Sequence, residues 1–196
     1  DMDWNDPVNV RFIQECIRQG THIVFSGLPD VQRLMENDSL RELFGVRSIR
    51  QERVAVDGIQ LYDGLLLGGD IFYQAETEEE QKKQNLQLSF PWYQLSEGTK
   101  AYMKGMFQDD SVKAEEYPPV LWRKSFETAN VFVMNGDYLE DATGLGLLTG
   151  IVGELGEYDI YPVVNAQNLV ITDYPDFAEE NNEKLQQMYS QSIRGI

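Results

Sequence analysis

Residues 6–30 read "DPVNVRFIQECIRQGTHIVFSGLPD", which places an amphipathic helix directly before a short apolar strand. Val10, Ile13 and Ile17 recur at the spacing of one helix face, after a proline that favours the first helical position. The segment Thr21–Phe25 is then apolar and ends at serine, glycine and proline residues, which break a strand. A helix followed at once by a buried strand is typical of α/β proteins, so this stretch predicts an α/β fold.

Apolar segments later in the chain extend this prediction. Asn130–Met134 and Asn168–Thr172 predict two further central strands, and the glycine-rich residues 144–156 between them predict a buried helix. Strands that alternate with helices indicate a three-layer arrangement. We therefore expect one α/β domain over residues 1–196, in which residues 177–196 form a helix that leads toward a following domain.

The middle of the chain has a different character. Residues 46–90 are rich in β-forming pieces around a polar run, and they predict a β-rich insertion. Within it, Asp57 and Gly58 form a dipeptide that is typical of a hairpin turn. Residues 98–107, "GTKAYMKGMF", predict a short helix or turn that leads into a strand at residues 120–126.

The segment Tyr161–Phe177 reads "YPVVNAQNLVITDYPDF" and predicts the strand that closes the domain. Its two prolines suit strand ends, where no ladder donor is needed. Asn165 is expected either to satisfy backbone groups of a turn or to face a ligand. Asp173 and Asp176 follow the strand, and they predict an acidic surface that would bind a cationic partner weakly and with salt sensitivity.

Composition restricts the class of partner. The chain has 196 residues with 16 basic and 33 acidic side chains, and its formal net charge is −17. Such a field repels phosphates, so nucleic acid and anionic membrane surfaces are excluded as expected partners, whereas a cationic partner remains open. The single cysteine excludes an internal disulfide framework, and one cysteine with one histidine leaves few ligands for a zinc site. The sequence contains no cofactor-binding motif. No apolar run is long enough for a membrane span.

Three carboxylates follow the predicted strand at 130–134. Asp137, Glu140 and Asp141 lie at the kind of strand end where open α/β sheets place their sites. They could bind a divalent cation or act in acid/base chemistry. Alternatively, Asp141 or Thr143 caps the following helix, and the carboxylates are favoured there by the helix dipole.

Ser26 and Gly27 follow the first predicted strand, at the position where many hydrolases place a nucleophile. The flanking glycines of a nucleophile elbow are absent, and His22, the only histidine of the chain, precedes Ser26. Cys16 is predicted to lie within the first helix as a structural thiol. The glycines of "GLGLLTG" do not match the spacing of a dinucleotide-binding loop.

A family resemblance covers most of the chain. It rests on "IRQGTHIVFSGLP", "LRELFGV", "PPVLWRKSFETANVFVMNGDYLED" and "YPVVNAQNLVITDYPDFAEENNEKL". In this order the segments resemble the flavodoxin-like, class I glutamine amidotransferase-like domain of bacterial surface proteins that carry a polysaccharide deacetylase domain. Those proteins are similar to the deacetylase component of Pel-type exopolysaccharide systems, which act in biofilms.

The resemblance implies a non-catalytic accessory domain at the bacterial cell surface or outside the cell, with a scaffold, polymer-binding or partner-contact role. Ser26 and Gly27 match the position where a true amidotransferase has its cysteine elbow, and no cysteine stands there. The metal-binding motifs of the deacetylase have no counterpart, and the first strands of such a domain would lie upstream or be missing. The alternative is a degenerate hydrolase or metal site that uses Asp137, Glu140, Asp141 and Asp173. Expected partners are a cationic polysaccharide or other domains of the parent protein.

Overall fold

The structure, a computed structural model, describes residues 2–62, 71–73, 86–109, 112–140 and 142–156. All of these residues belong to one compact unit that spans residues 1–160. The predictions for residues 161–177, for the strand at 168–172 and for the helix at 177–196 lie outside the described residues. The prediction of a single domain over the whole chain stays a prediction.

Four α-helices are described, and they are α1 (Pro7–Arg18), α2 (Val31–Glu36), α3 (Asp38–Phe44) and α4 (Ala142–Leu155). The described strands are β1 (Ile23–Phe25), β2 (Val46–Ala55), β3 (Gly58–Leu61), β4 (Ile71–Tyr73), β5 (Ser89–Leu95), β6 (Thr99–Met106), β7 (Pro119–Ser125) and β8 (Asn130–Met134). A 3₁₀ turn covers Ala114–Glu116. Of the described helices, none combines the length and the apolar character that crossing a bilayer requires.

The strands form two sheets. The larger has the order β1-β8-β7-β6-β3-β4, and the smaller pairs β2 with β5. Only the β1–β8 pair of the larger sheet is parallel among the described strands, and its other four pairs are antiparallel. The sheet therefore differs from an all-parallel flavodoxin-like sheet, while the predicted α/β class with a β-rich part is confirmed.

Helices cover both faces of the larger sheet. Along β8, Val131 and Val133 pack with the apolar residues of α1, α2 and α3, whereas Phe132 and Met134 pack with Leu147 and other residues of α4. This alternation follows from the two-residue period of a strand. The result is a three-layer arrangement of helices, sheet and helix, as predicted.

The structure confirms the local signals of the opening stretch. The carboxylate of Asp6 accepts a hydrogen bond of 2.8 Å from the N–H of Val8 and so caps α1, with Pro7 at the first helical position. The following strand is shorter than predicted, since it begins at Ile23, and it lies at one end of the described strand order.

Two predictions for the middle of the chain were wrong. Residues 98–107 contain strand β6, which pairs with both β3 and β7, rather than a helix or turn. Asp57 and Gly58 do not turn a hairpin, because the strands on either side belong to different sheets. The N–H of Asp57 donates to the carbonyl of Met106 at 2.9 Å, and its carboxylate accepts from the N–H of Gln108 at 2.8 Å. These bonds fix a corner at which the chain passes from one sheet to the other.

The β-rich region is also more closely integrated than an insertion would be. Strand β3 lies inside the larger sheet, between β6 and β4. Gly105 of β6 lets Val56 and Phe90 of β5 pack closely on the larger sheet, since a Cβ at that position would lie 2.7 Å from a methyl group of Val56 and 2.8 Å from the ring of Phe90.

Candidate functional site

The parallel pair of strands positions the candidate site. Ile23 pairs with Val131 and Phe25 with Val133, so the carboxyl ends of β1 and β8 meet at one edge of the sheet. Ser26 and Gly27 leave this edge after β1, and the loop that carries Asp137 leaves it after β8. In α/β sheets a crevice at such strand ends is the usual place of a site.

A cleft of about 380 Å³ opens between these loops. Its lining residues include the predicted candidates Ser26, Gly27, Asp137 and Glu140 together with Asp30, Glu52, Arg53, Gln87, Tyr93 and Asn135. We call it the acidic cleft, because four carboxylates (Asp30, Glu52, Asp137 and Glu140) and a single guanidinium line its described wall. The structure thus brings together two groups of residues that the sequence placed more than a hundred positions apart.

Sequence reasoning missed three charged residues of the cleft. Asp30 directly follows the loop that begins at Ser26, so its position next to a strand end could have indicated it. Glu52 and Arg53 come from β2, which reaches the cleft only through its pairing with β5. No local signal marks them. The Nε–H of Arg53 donates to the hydroxyl of Ser89 at 2.8 Å, which holds the guanidinium against β5.

The loop that carries Asp137 is held by Gln87. The side-chain oxygen of Gln87 accepts a hydrogen bond of 2.8 Å from the N–H of Asp137, and its carbonyl accepts from the hydroxyl of Tyr138. Gly136 has a φ of 146°, and a Cβ there would collide with the side-chain oxygen of Gln87. A glycine is therefore required at this position, and the loop has a defined shape.

Asn135 anchors the start of the same loop from inside the protein. It is the only buried polar residue among those described, with 3% of its surface exposed. Its amide nitrogen donates to the carbonyl of Pro91 at 2.8 Å and to that of Pro119 at 3.0 Å. These bonds tie β8 to both β5 and β7, so Asn135 has a structural role at the base of the cleft.

The tyrosines near the cleft cannot act as bases at neutral pH. Burial raises the pKa of Tyr93, and the carboxylate of Asp30 raises it further. Burial likewise raises the pKa of Tyr138. Both phenols stay protonated over the physiological range.

Ser26 lacks a histidine partner. His22 precedes Ser26 by four residues along an extended segment, so the Cα atoms of the two residues lie about 13 Å apart. The Nδ1 atom of His22 instead accepts a hydrogen bond of 2.9 Å from the N–H of Asn130. The arrangement therefore does not provide the nucleophile–base contact that hydrolases of this type use.

Asp141, Asn165, Asp173 and Asp176 lie outside the described residues. In the part of the chain that is described, no three carboxylate, imidazole or thiol groups are placed to hold a metal ion. The glycines of residues 144–150 lie within helix α4 rather than in a phosphate-binding loop.

Together, the fold and the site define a three-layer α/β domain with an acidic cleft at the carboxyl ends of its parallel strands. Residues 17–194 match the DUF2194 family, described as uncharacterised proteins conserved in bacteria. Because this match covers most of the 196 residues, the chain belongs to that family. No curated protein and no solved structure matches the chain.

Proposed function

We propose that this chain is a non-catalytic accessory domain that binds a cationic polymer in its acidic cleft. The observation that carries the proposal is the convergence of Asp30, Glu52, Asp137 and Glu140 in one concave site. A cleft lined by one sign of charge focuses its field and raises the local concentration of a ligand of opposite sign. The net charge of −17 acts in the same direction over a longer range.

The chemical class of ligand follows from these charges. A partly deacetylated amino-sugar polysaccharide carries free amines, which are protonated at neutral pH and can donate to carboxylates. This ligand also agrees with the resemblance to domains that precede polysaccharide deacetylases. A deacetylase in the parent protein, a location at the bacterial cell surface and a role in biofilm exopolysaccharide are parts of the same proposal.

The binding role predicts a specific effect of charge removal. The double variant Asp137→Asn/Glu140→Gln should bind a fully de-N-acetylated glucosamine oligomer about three- to tenfold more weakly than the wild type, because it loses two solvent-exposed charge contacts. Binding to the wild type should also weaken as NaCl rises. Isothermal titration calorimetry at low and high salt measures both effects.

The matched control is Glu97→Gln/Glu127→Gln, which removes the same charge from exposed positions outside the cleft. This variant should bind nearly as well as the wild type. Equal weakening in the two double variants would mean that only net charge matters, and it would refute a binding site in the cleft.

A degenerate hydrolase is the second candidate, because Ser26 and two of the predicted carboxylates line the same cleft. We expect the chain to show no glutaminase or esterase activity, since a serine without a contacting base is a weak nucleophile. Release of ammonia from glutamine and of nitrophenol from an activated ester measures this. Turnover that is lost in Ser26→Ala would establish the hydrolase instead.

A further inference from the structure

We propose that a second concavity, which shares Tyr93 with the acidic cleft, binds neutral units of a sugar chain. It has a volume of about 460 Å³. Four aromatic residues line it, of which Tyr62 and Tyr117 are partly exposed whereas Trp92 and Tyr93 are buried, and we call it the aromatic groove. The polar side chains around these rings are Arg50, Gln94, Ser96, Thr99, Lys104, Glu115 and Glu116.

The charged groups of the aromatic groove already have partners. The guanidinium of Arg50 pairs with the carboxylate of Glu116 at 3.0 Å and lies 5.0 Å from the ring centre of Trp92. The ammonium of Lys104 lies 5.1 Å from the ring centre of Tyr62 and donates to the carbonyl of Glu115 at 3.1 Å. Two cations and two carboxylates balance one another along this lining. A charged ligand would have to displace these contacts, whereas a neutral ligand would not.

Hydroxyl and amide groups supply the hydrogen bonds that a neutral ligand needs. The hydroxyl of Tyr62 donates to the side chain of Gln60 at 3.1 Å, and that of Tyr117 donates to the carbonyl of Phe107 at 3.1 Å. Both phenol oxygens keep lone pairs that can accept from a ligand. Burial raises the pKa of Tyr62, and Tyr117 and Glu115 raise it further, so this phenol remains neutral. The side chain of Gln94 is exposed at the groove.

Sugars match this combination of groups. A pyranose ring has hydroxyls at its rim, which both donate and accept, and C–H faces that pack on the faces of aromatic rings. Aromatic side chains with a polar tip provide apolar contact area and a hydrogen bond from the same residue. Concave sites that combine apolar walls with a few polar groups are the usual form of a small-ligand site.

The aromatic groove and the acidic cleft differ in what they select. Residues of β2 and β5 line both concavities. Arg50 of β2 lines the groove, and Glu52 of the same strand lines the cleft. The groove has balanced charges, whereas the cleft has an excess of carboxylates. A partly deacetylated polymer contains neutral and cationic units, and each kind has a chemically suited site on this domain.

Titration of the whole chain with an N-acetylglucosamine oligomer tests the groove. The wild type should show saturable binding that changes little between low and high salt, because the ligand is uncharged. Tyr62→Ala and Gln94→Ala should each weaken binding by about tenfold. Tyr62→Phe keeps the ring and should lose less than Tyr62→Ala. The control Phe12→Ala removes an exposed aromatic side chain of α1 outside the groove and should bind like the wild type.

Thermal unfolding of each variant establishes that it is folded, and Gln94→Ala decides the test if Tyr62→Ala does not fold, since Gln94 is exposed. An absence of saturable binding, or equal affinity in wild type, Tyr62→Ala and Gln94→Ala, would overturn the inference. Binding at the acidic cleft is measured separately, with the de-N-acetylated oligomer and the Asp137→Asn/Glu140→Gln variant. Failure at one site is therefore distinguishable from failure at the other.

Discussion

Replacing Trp122 with alanine is expected to lower the free energy of unfolding by about 3–5 kcal/mol, the range for aromatic truncation in a packed core. Trp122 is fully buried on β7, and its ring centre lies 6.2 Å from that of Tyr93. Its indole N–H donates a hydrogen bond of 2.7 Å to the carbonyl of Phe44, the last residue of α3. The side chain therefore joins the larger sheet to the helical layer through both packing and a hydrogen bond.

Urea denaturation followed by circular dichroism measures this loss, and Trp122→Phe separates its two components. Phenylalanine retains much of the ring contact but cannot donate, so the Phe44 carbonyl is left without its partner at a cost of about 1–3 kcal/mol. Trp122→Phe should thus fall between the wild type and Trp122→Ala. If Trp122→Ala unfolds at the same urea concentration as the wild type, the packing described for α3 against β7 is incorrect.

The elements that the sequence predicted correctly are those with a local cause. Helix α1 has its apolar residues at helical spacing and its cap at Asp6, and all of these signals lie within one short stretch. Strand β8 has the bounds predicted for it, Asn130–Met134, because a short apolar run on both faces suits a strand covered on both sides. Local chemistry was sufficient in both cases.

Strand β6 was mistaken for a helix or turn because its spacing is ambiguous. Lys100 and Lys104 are four residues apart, a separation that places two side chains on one face of a helix. In β6 the register is irregular between Ala101 and Lys104, and Lys100 pairs with Glu154 of α4 whereas Lys104 lines the aromatic groove. In the structure both ammonium groups lie over tyrosine rings, Lys100 over Tyr102 and Lys104 over Tyr62. The pairing of β6 with β3 and β7 decides between the alternatives, and that pairing is not local.

The candidate site was predicted only in part, because local signals mark some of its residues whereas strand pairing between distant segments brings in others. Ser26, Asp137 and Glu140 were recognised because they follow apolar strands, and strand ends are marked in the sequence. Glu52 reaches the cleft only because β2 pairs with β5, a contact between distant segments. The relative direction of the strands could not be predicted either, since an apolar segment buried on both faces has the same composition in a parallel as in an antiparallel sheet.

Asn135 shows how a local signal can be read incompletely. The sequence "NGD" at 135–137 is typical of a turn, whereas the structural asparagine was expected at position 165. Asn165 lies outside the described residues, so its role stays a prediction. In the described part of the chain, it is the side chain of Asn135 that satisfies the backbone carbonyls of Pro91 and Pro119.

Replacing Asn135 with alanine is therefore expected to lower the free energy of unfolding by about 2–4 kcal/mol. The carbonyls of Pro91 and Pro119 each lose a donor, and an unpaired buried carbonyl costs about 1–3 kcal/mol. Urea denaturation measures the loss. The matched control is Asn130→Ala in β8, the strand that Asn135 follows. There the backbone N–H makes the bond to His22, and this variant should lose less than about 1 kcal/mol.

The same substitution should also affect the acidic cleft, because Asn135 holds the base of the loop that carries Asp137 and Glu140. Once the ties to β5 and β7 are lost, these two carboxylates are no longer held in the cleft that Glu52 also lines, and a cationic oligomer should bind more weakly to the folded variant. Calorimetric titration with the de-N-acetylated oligomer, below the temperature at which Asn135→Ala unfolds, measures this effect. Reduced stability with unchanged affinity would show that Asn135 supports the fold without positioning the carboxylates. Reduced affinity in Asn135→Ala but not in Asn130→Ala would link the buried asparagine to the charge arrangement of the cleft.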